Sequence, residues 1–196
     1  VNLVNIRLKK VNTSTSNRFL HEYIAPYTNI DGLYVDVSTS GLQQFAYFKL
    51  GDYVPNAKVN ITNSNLRNFT YTFAFEGYNK NPIGTVAGQT NELEFSNNVV
   101  YNCPNYLLNI YMVGYNKVDI TRNNFLSTTV RTGTPYMSSG SALADVDLED
   151  AVSFTYNRLI GYTNTNYEIA NSTNRNPALM DVTGIYQDKS PLTENS

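Results

Sequence analysis

Asp31-Gly32-Leu33-Tyr34-Val35-Asp36-Val37-Ser38 carries the reading of the fold. A turn signal, Asp31-Gly32, is followed by Leu33, Val35 and Val37 alternating with Tyr34, Asp36 and Ser38, the period of a half-buried strand. Outward from it the pattern recurs. Phe45 to Phe48 run into Gly51-Asp52, and Ala57 to Ile61 alternate Lys58 and Asn60 with Val59 and Ile61. Tyr71-Thr72-Phe73-Ala74-Phe75 sets three aromatics on one face and stops at Gly77. Leu3 to Leu8, Glu92 to Phe95, Leu107 to Val113, Val118 to Ile120 and Ser127 to Arg131 are shorter candidates. About eight or nine short strands at a spacing of roughly 10 to 15 residues predict a mainly β fold, an antiparallel β-sandwich, with a short helix and an extended C-terminal tail.

The pattern changes after residue 134. Residues 1–134 are expected to form the sandwich; residues 135–196 are expected to supply a linker, a short helix or strand, and a tail that packs on partner subunits. Pro135 to Ser141 has loop composition, and Asp145, Asp147, Glu149 and Asp150 form an acidic group. Between Leu148 and Ile160, Leu148, Val152, Tyr156 and Leu159 fit a helix with acids in its first turn. Val152, Phe154 and Tyr156 fit a strand as well; the helix is the reading taken. The tail offers few apolar anchors, and Ile169, Leu179, Met180, Val182, Ile185 and Tyr186 are the candidate partner contacts.

Composition narrows the function classes. The chain has 196 residues, 15% of them charged and a formal net charge of -2, but 28 Asn, 20 Thr and 14 Ser. An AT-rich genome would raise Lys and Ile too, yet there are only 7 Lys and 10 Ile. Short neutral polar side chains lose little rotamer freedom when ordered, which suits surfaces that pack on other subunits. The 16 Tyr without Trp agree with such surfaces, and strand preference explains them equally well. Four N-x-S/T sequons, at Asn12, Asn60, Asn68 and Asn171, are no more than chance supplies in so Asn-rich a chain.

No residue set selects a reaction. His21 beside Glu22 is the sole His, and Cys103 the sole Cys, so an internal disulfide and a four-ligand Cys/His zinc site are excluded. Cys103 reads as a small buried residue. The acids at 145–150 lack the glycine of a calcium loop, and the acids elsewhere show no spacing that picks out a catalytic pair. Gly84 and Gly88 lack the Lys-Ser/Thr of a phosphate loop, and Lys9-Lys10 is the only adjacent basic pair. The expectation is a protein that is not an enzyme, with no cofactor, no metal and no nucleic-acid ligand. VNLVNIRLKK has no apolar core of a signal peptide, and no run approaches about 18 apolar residues, so no membrane span is expected.

From about Ala46 to Arg131 the chain resembles the N-terminal domain of phage baseplate upper proteins and related virion fibre domains. The matching text is Tyr47-Phe48-Lys49-Leu50-Gly51-Asp52, Thr70 to Glu76, Tyr106 to Gly114, and Asn124-Phe125-Leu126-Ser127-Thr128-Thr129-Val130-Arg131. The resemblance covers under half of the chain and carries over no functional residue. It implies a structural virion protein of a bacteriophage (baseplate, collar, tail or head-fibre component), localised to the virion after assembly in the host cytoplasm. Its expected partners are other virion subunits in a homo-oligomer, and a host surface glycan. A carbohydrate-binding or cell-surface adhesion domain is the alternative.

Overall fold

The structure is a computed structural model and describes residues 2–9, 18–23, 27–36, 44–50, 58–68, 73–77, 92–102, 108–111, 117–132, 152–163 and 180–193. Among the described residues, eighteen strands fall into three sheets, and every strand pair is parallel. Sheet A contains β1 (Asn2–Val4), β4 (Tyr27–Asp31), β7 (Lys58–Thr62), β10 (Glu92–Ser96), β13 (Lys117–Thr121), β15 (Val152–Thr155) and β17 (Met180–Asp181), stacked in that order. Sheet B contains β2 (Arg7–Lys9), β5 (Tyr34–Asp36), β8 (Asn65–Arg67), β11 (Val99–Tyr101), β14 (Asn124–Arg131), β16 (Arg158–Tyr162) and β18 (Tyr186–Asp188), likewise in order. Sheet C contains β3 (Arg18–Tyr23), β6 (Gln44–Leu50), β9 (Phe73–Gly77) and β12 (Leu108–Tyr111).

The chain therefore climbs as a coil, each turn of which adds one rung to the sheets. Rungs stack about 4.8 Å apart, so seven of them span roughly 30 Å. Cross-rung hydrogen bonds join residues 27, 31, 34, 25 and 34 positions apart at successive steps. The period is irregular, because the connections vary in length while the strands stay in register.

This corrects the antiparallel sandwich. The antiparallel expectation rests on the number and spacing of short strands, and half-buried alternation such as that of Leu33, Val35 and Val37 agrees with it, because parallel sheets are usually covered on both faces and read as continuous apolar runs. In a coil one face of each parallel sheet lines the core and the other faces outward, so alternation survives in a parallel sheet. Parallel neighbours also need a long return connection, which the rest of each turn supplies. The helix expected within 148–160 is corrected as well: Val152–Thr155 and Arg158–Tyr162 are strands, and no helix occurs among the described residues. The four strands from Val152 onward extend sheets A and B rather than standing apart.

Inward residues form columns along the axis. In sheet A, Ile30, Ile61, Phe95, Ile120 and Phe154 are register partners, and all are fully buried. Val35, Leu66, Val100, Phe125 and Leu159 do the same in sheet B. The two sheets meet where the Phe125 and Phe154 rings stack at 6.1 Å. Burying each such side chain contributes about 1.5 to 3 kcal/mol.

The corner between sheets A and B sets the register. In six turns it is two residues long: Asn5-Ile6, Gly32-Leu33, Asn63-Ser64, Asn97-Asn98, Arg122-Asn123 and Tyr156-Asn157. The first residue of each pair is left-handed, with φ between 52° and 68°. Asn tolerates that conformation better than other side chains, and Gly adopts it freely. Gly32 has a second reason, since a Cβ there would lie 2.5 Å from Asn5 Oδ1. The second residue points inward and builds a buried polar ladder. Ser64 N–H donates to Asn98 Oδ1, Asn98 N–H to Asn123 Oδ1, and Asn123 N–H to Asn157 Oδ1, each at 2.9 Å. The Nδ2 groups of Asn98, Asn123 and Asn157 donate to the carbonyls of Ile61, Phe95 and Ile120, again at 2.9 Å. Each ladder side chain thus satisfies backbone of the rung before it, where an unpaired group would cost about 1 to 3 kcal/mol.

Candidate functional site

With the core columns fixed, the alternate residues of sheets A and B face outward in rows, and among the described residues these rows are the surface open to a partner. On sheet A the outward rows carry Asp31, Glu92, Glu94, Asp119 and Asp181 against Lys58, a surplus of acid. On sheet B they carry Arg7, Arg67, Arg131 and Arg158 against Asp36 and Asp188, a surplus of base. A chain with a formal net charge of -2 has therefore sorted its charges by face.

Most acids of sheet A are held by neighbours. Asp31 Oδ1 accepts from Thr62 Oγ1 at 3.0 Å and from Asn63 Nδ2 at 2.8 Å. Glu92 pairs with Lys58 at 3.3 Å, the one ion pair among the described residues, with both side chains well exposed. Glu94 accepts from Ser96 Oγ at 2.7 Å, and Asp181 from Thr183 Oγ1 at 2.8 Å. Glu94 and Asp119 are direct register partners, so their backbones sit about 4.8 Å apart and both carboxylates leave the same face. Sequence spacing could not pick out this pair, because the two residues belong to different turns of the coil.

On sheet B the guanidiniums sit on tyrosines of the next rung. Arg7 lies 4.8 Å from the Tyr34 ring centre, Arg67 4.1 Å from Tyr101, and Arg158 6.0 Å from Tyr186. At the A–B corner Arg122 lies 5.7 Å from Tyr156. Such stacking contributes about 0.5 to 1 kcal/mol at exposed sites and holds a flexible side chain in one orientation. None of the four guanidiniums has a carboxylate partner among the described residues. Part of this face is covered near its far end. β14 bulges between Leu126 and Arg131, and Leu192 N–H reaches back to Ser127 O at 2.8 Å. Ile160, in an outward row, is accordingly only 5% exposed.

Of the six candidate partner contacts, Met180 lies in β17, Val182 and Ile185 are half-buried beside it, and Tyr186 opens β18 and is 58% exposed. These four share the seventh rung. Ile169 and Leu179 lie outside the described residues, as do Cys103, the acidic group at 145–150, and Gly84 and Gly88. His21 belongs to β3, in register with Tyr47 of β6. Among the described residues no three His, Cys, Asp or Glu side chains cluster as metal ligands do, and no helix is long and apolar enough to cross a membrane. Sequence reading missed the outward Arg–Tyr rows and the ladder. Their signal is the recurrence Ile61-Thr62-Asn63-Ser64, Phe95-Ser96-Asn97-Asn98, Ile120-Thr121-Arg122-Asn123 and Phe154-Thr155-Tyr156-Asn157.

No family model matches the chain, and neither the curated proteins nor the solved structures contain a match.

Proposed function

We propose that the chain is a structural component of a fibre-like assembly, as in a bacteriophage virion, that works by presenting repeated surfaces to other subunits and contributes to host attachment. The observation that carries the reading is the seven-rung stack with sorted outer faces. A coil of this kind is rigid along its axis, and its side-chain rows repeat at a fixed step, which suits extended contact with a partner of matching repeat. Rigid rows also reduce the ordering cost of association. Sedimentation of the native protein with purified virion components tests the proposal. Co-assembly into particles is the expected outcome, and a stable monomer that binds no virion component overturns it.

A second reading, a glycan-acting protein, has one observation in its favour, the Glu94–Asp119 pair. Register places these two residues on neighbouring strands and the same face, and retaining glycoside hydrolases work with two carboxyl groups held on one site. Reducing-sugar release from host-surface glycans, abolished in Glu94→Gln and Asp119→Asn, would establish it; no release with any glycan tested removes it.

A further inference from the structure

Sheet B presents a row of alternating charge, and sheet A presents its complement one rung further on. Rungs one to three of sheet B carry Arg7, Asp36 and Arg67 outward. Rungs two to four of sheet A carry Asp31, Lys58, and the pair Glu92 and Glu94. From the geometry we infer that sheet B of one copy docks on sheet A of a second copy, axes parallel, displaced by one rung. In that register Arg7 meets the partner's Asp31, Asp36 meets the partner's Lys58, and Arg67 meets the partner's Glu92 and Glu94.

Three observations favour this arrangement over its neighbours. Without displacement, Asp36 would face Asp31, Arg67 would face Lys58 and Asp188 would face Asp181, so three rungs would repel. With one rung of displacement Arg158 of rung six also meets Asp181 of rung seven, and no strand residues of like charge are opposed. Turning the second copy end for end gives three complementary pairs, Arg7 with Glu92 and Glu94, Asp36 with Lys58 and Arg67 with Asp31, and loses the fourth. The faces share one step because the same rungs build both, so the match does not drift along the axis. Arg7 and Arg67 are already oriented by Tyr34 and Tyr101, which lowers the ordering cost of docking.

The contact is heterologous, since different faces meet. Each copy keeps one free A face and one free B face, and a displacement of one rung per copy prevents a flat ring from closing. The product is an open, staggered array rather than a dimer. The inference rests on the assembly reading above and specifies the contact that such an assembly would use.

Sedimentation velocity of the full chain over a concentration series, at low salt and at 1 M salt, tests it. Expected are oligomers without a fixed upper size at low salt and monomers at 1 M salt, where the screening length shrinks to about 3 Å. Two variants then separate the faces: Arg7→Glu with Arg67→Glu breaks B, and Glu92→Gln with Glu94→Gln breaks A without creating a complement to the altered B face. Each alone should be monomeric with an unchanged circular dichroism spectrum. Mixed, they retain one intact A face and one intact B face between them, and should stop at a 1:1 dimer. Arg67→Gln and Glu94→Gln, milder changes, should weaken association in the same directions if a reversed-charge variant fails to fold. A wild-type monomer at low salt, oligomers indifferent to salt, or a mixture that does not pair would overturn the inference. So would a monomer whose Arg7–Arg67 face binds soluble polygalacturonate or DNA instead. Arrays that find no place in a virion leave the docking intact and remove the assembly reading; a monomer that binds virion components does the reverse.

Discussion

Rungs three to six and the rungs at either end turn the same corner with different chemistry. In the middle the inward corner residue is Ser64, Asn98, Asn123 or Asn157, whereas rungs one, two and seven have Ile6, Leu33 and Ile185. The reason lies in the direction of the bonds. Every ladder Asn serves the rung before it, so the chain of bonds runs from Asn157 back through Asn123 and Asn98 to Ser64. Ser64 is the hinge between the two regimes: its Oγ accepts from Leu33 N–H at 3.1 Å and donates to the Thr62 carbonyl of its own rung at 2.8 Å, ending the ladder against an apolar neighbour. Polar groups in the middle fix register, and apolar groups near the ends cover the core.

Breaking the ladder at its centre should have the largest effect. Asn123→Leu leaves the buried Asn98 N–H without its acceptor and removes the bonds to the Phe95 carbonyl and to Asn157 Oδ1. A loss of about 3 to 4 kcal/mol follows from three buried hydrogen bonds and one orphaned donor, read by urea denaturation. A Leu at this site that costs under about 1 kcal/mol would show that the ladder is dispensable. Ser64→Ala, at the boundary, removes the bonds to Leu33 N–H and to the Thr62 carbonyl; Gly32 N–H still donates to that carbonyl, so only Leu33 N–H is orphaned and the cost should be about 1 to 2 kcal/mol.

The apolar end can be sharpened rather than broken. Thr28 is fully buried in rung two, and its Oγ1 has no partner. Thr28→Val keeps the shape and removes the unpaired hydroxyl, so it should stabilise by about 1 kcal/mol, measured as a rise in the denaturation midpoint. The smallest change is expected outside the corner altogether. Lys58→Met deletes the exposed pair with Glu92 and should shift stability by less than about 0.5 kcal/mol in the isolated chain.

The same contrast explains what the sequence disclosed. Nine of the apolar segments were recognisable, and those at Phe45 to Phe48, Glu92 to Phe95 and Val118 to Ile120 correspond to β6, β10 and β13. Leu3 to Leu8 reads as one strand, yet Asn5 at φ 53° splits it into β1 and β2. β8 and β11 are three residues long, too short for alternation to register. Pairing direction was hidden for a different reason: a strand's own residues report which face is buried but not which way its neighbour runs. The Asn excess was legible as a skew and misread as surface alone. Asn5, Asn63, Asn68, Asn97 and Asn102 hold left-handed corners, and Asn98, Asn123 and Asn157 are interior. The charge rows and the Glu94–Asp119 pair were not legible, since they join residues that only the coil's irregular period brings side by side.

The two-residue corner between sheets A and B keeps its length in six turns, while the step from rung to rung ranges from 25 to 34 residues. All of that variation is confined to the other connections. Under mutation and recombination such a chain has one frozen hinge and two permissive ones: insertions at the permissive turns leave the stack in register, and a whole rung can be duplicated or lost as a unit. Lineages of this molecule should therefore diverge fastest in loop length and slowest at the Asn corner, and foreign peptides grafted between the sheets should be displayed at fixed intervals without cost to the core.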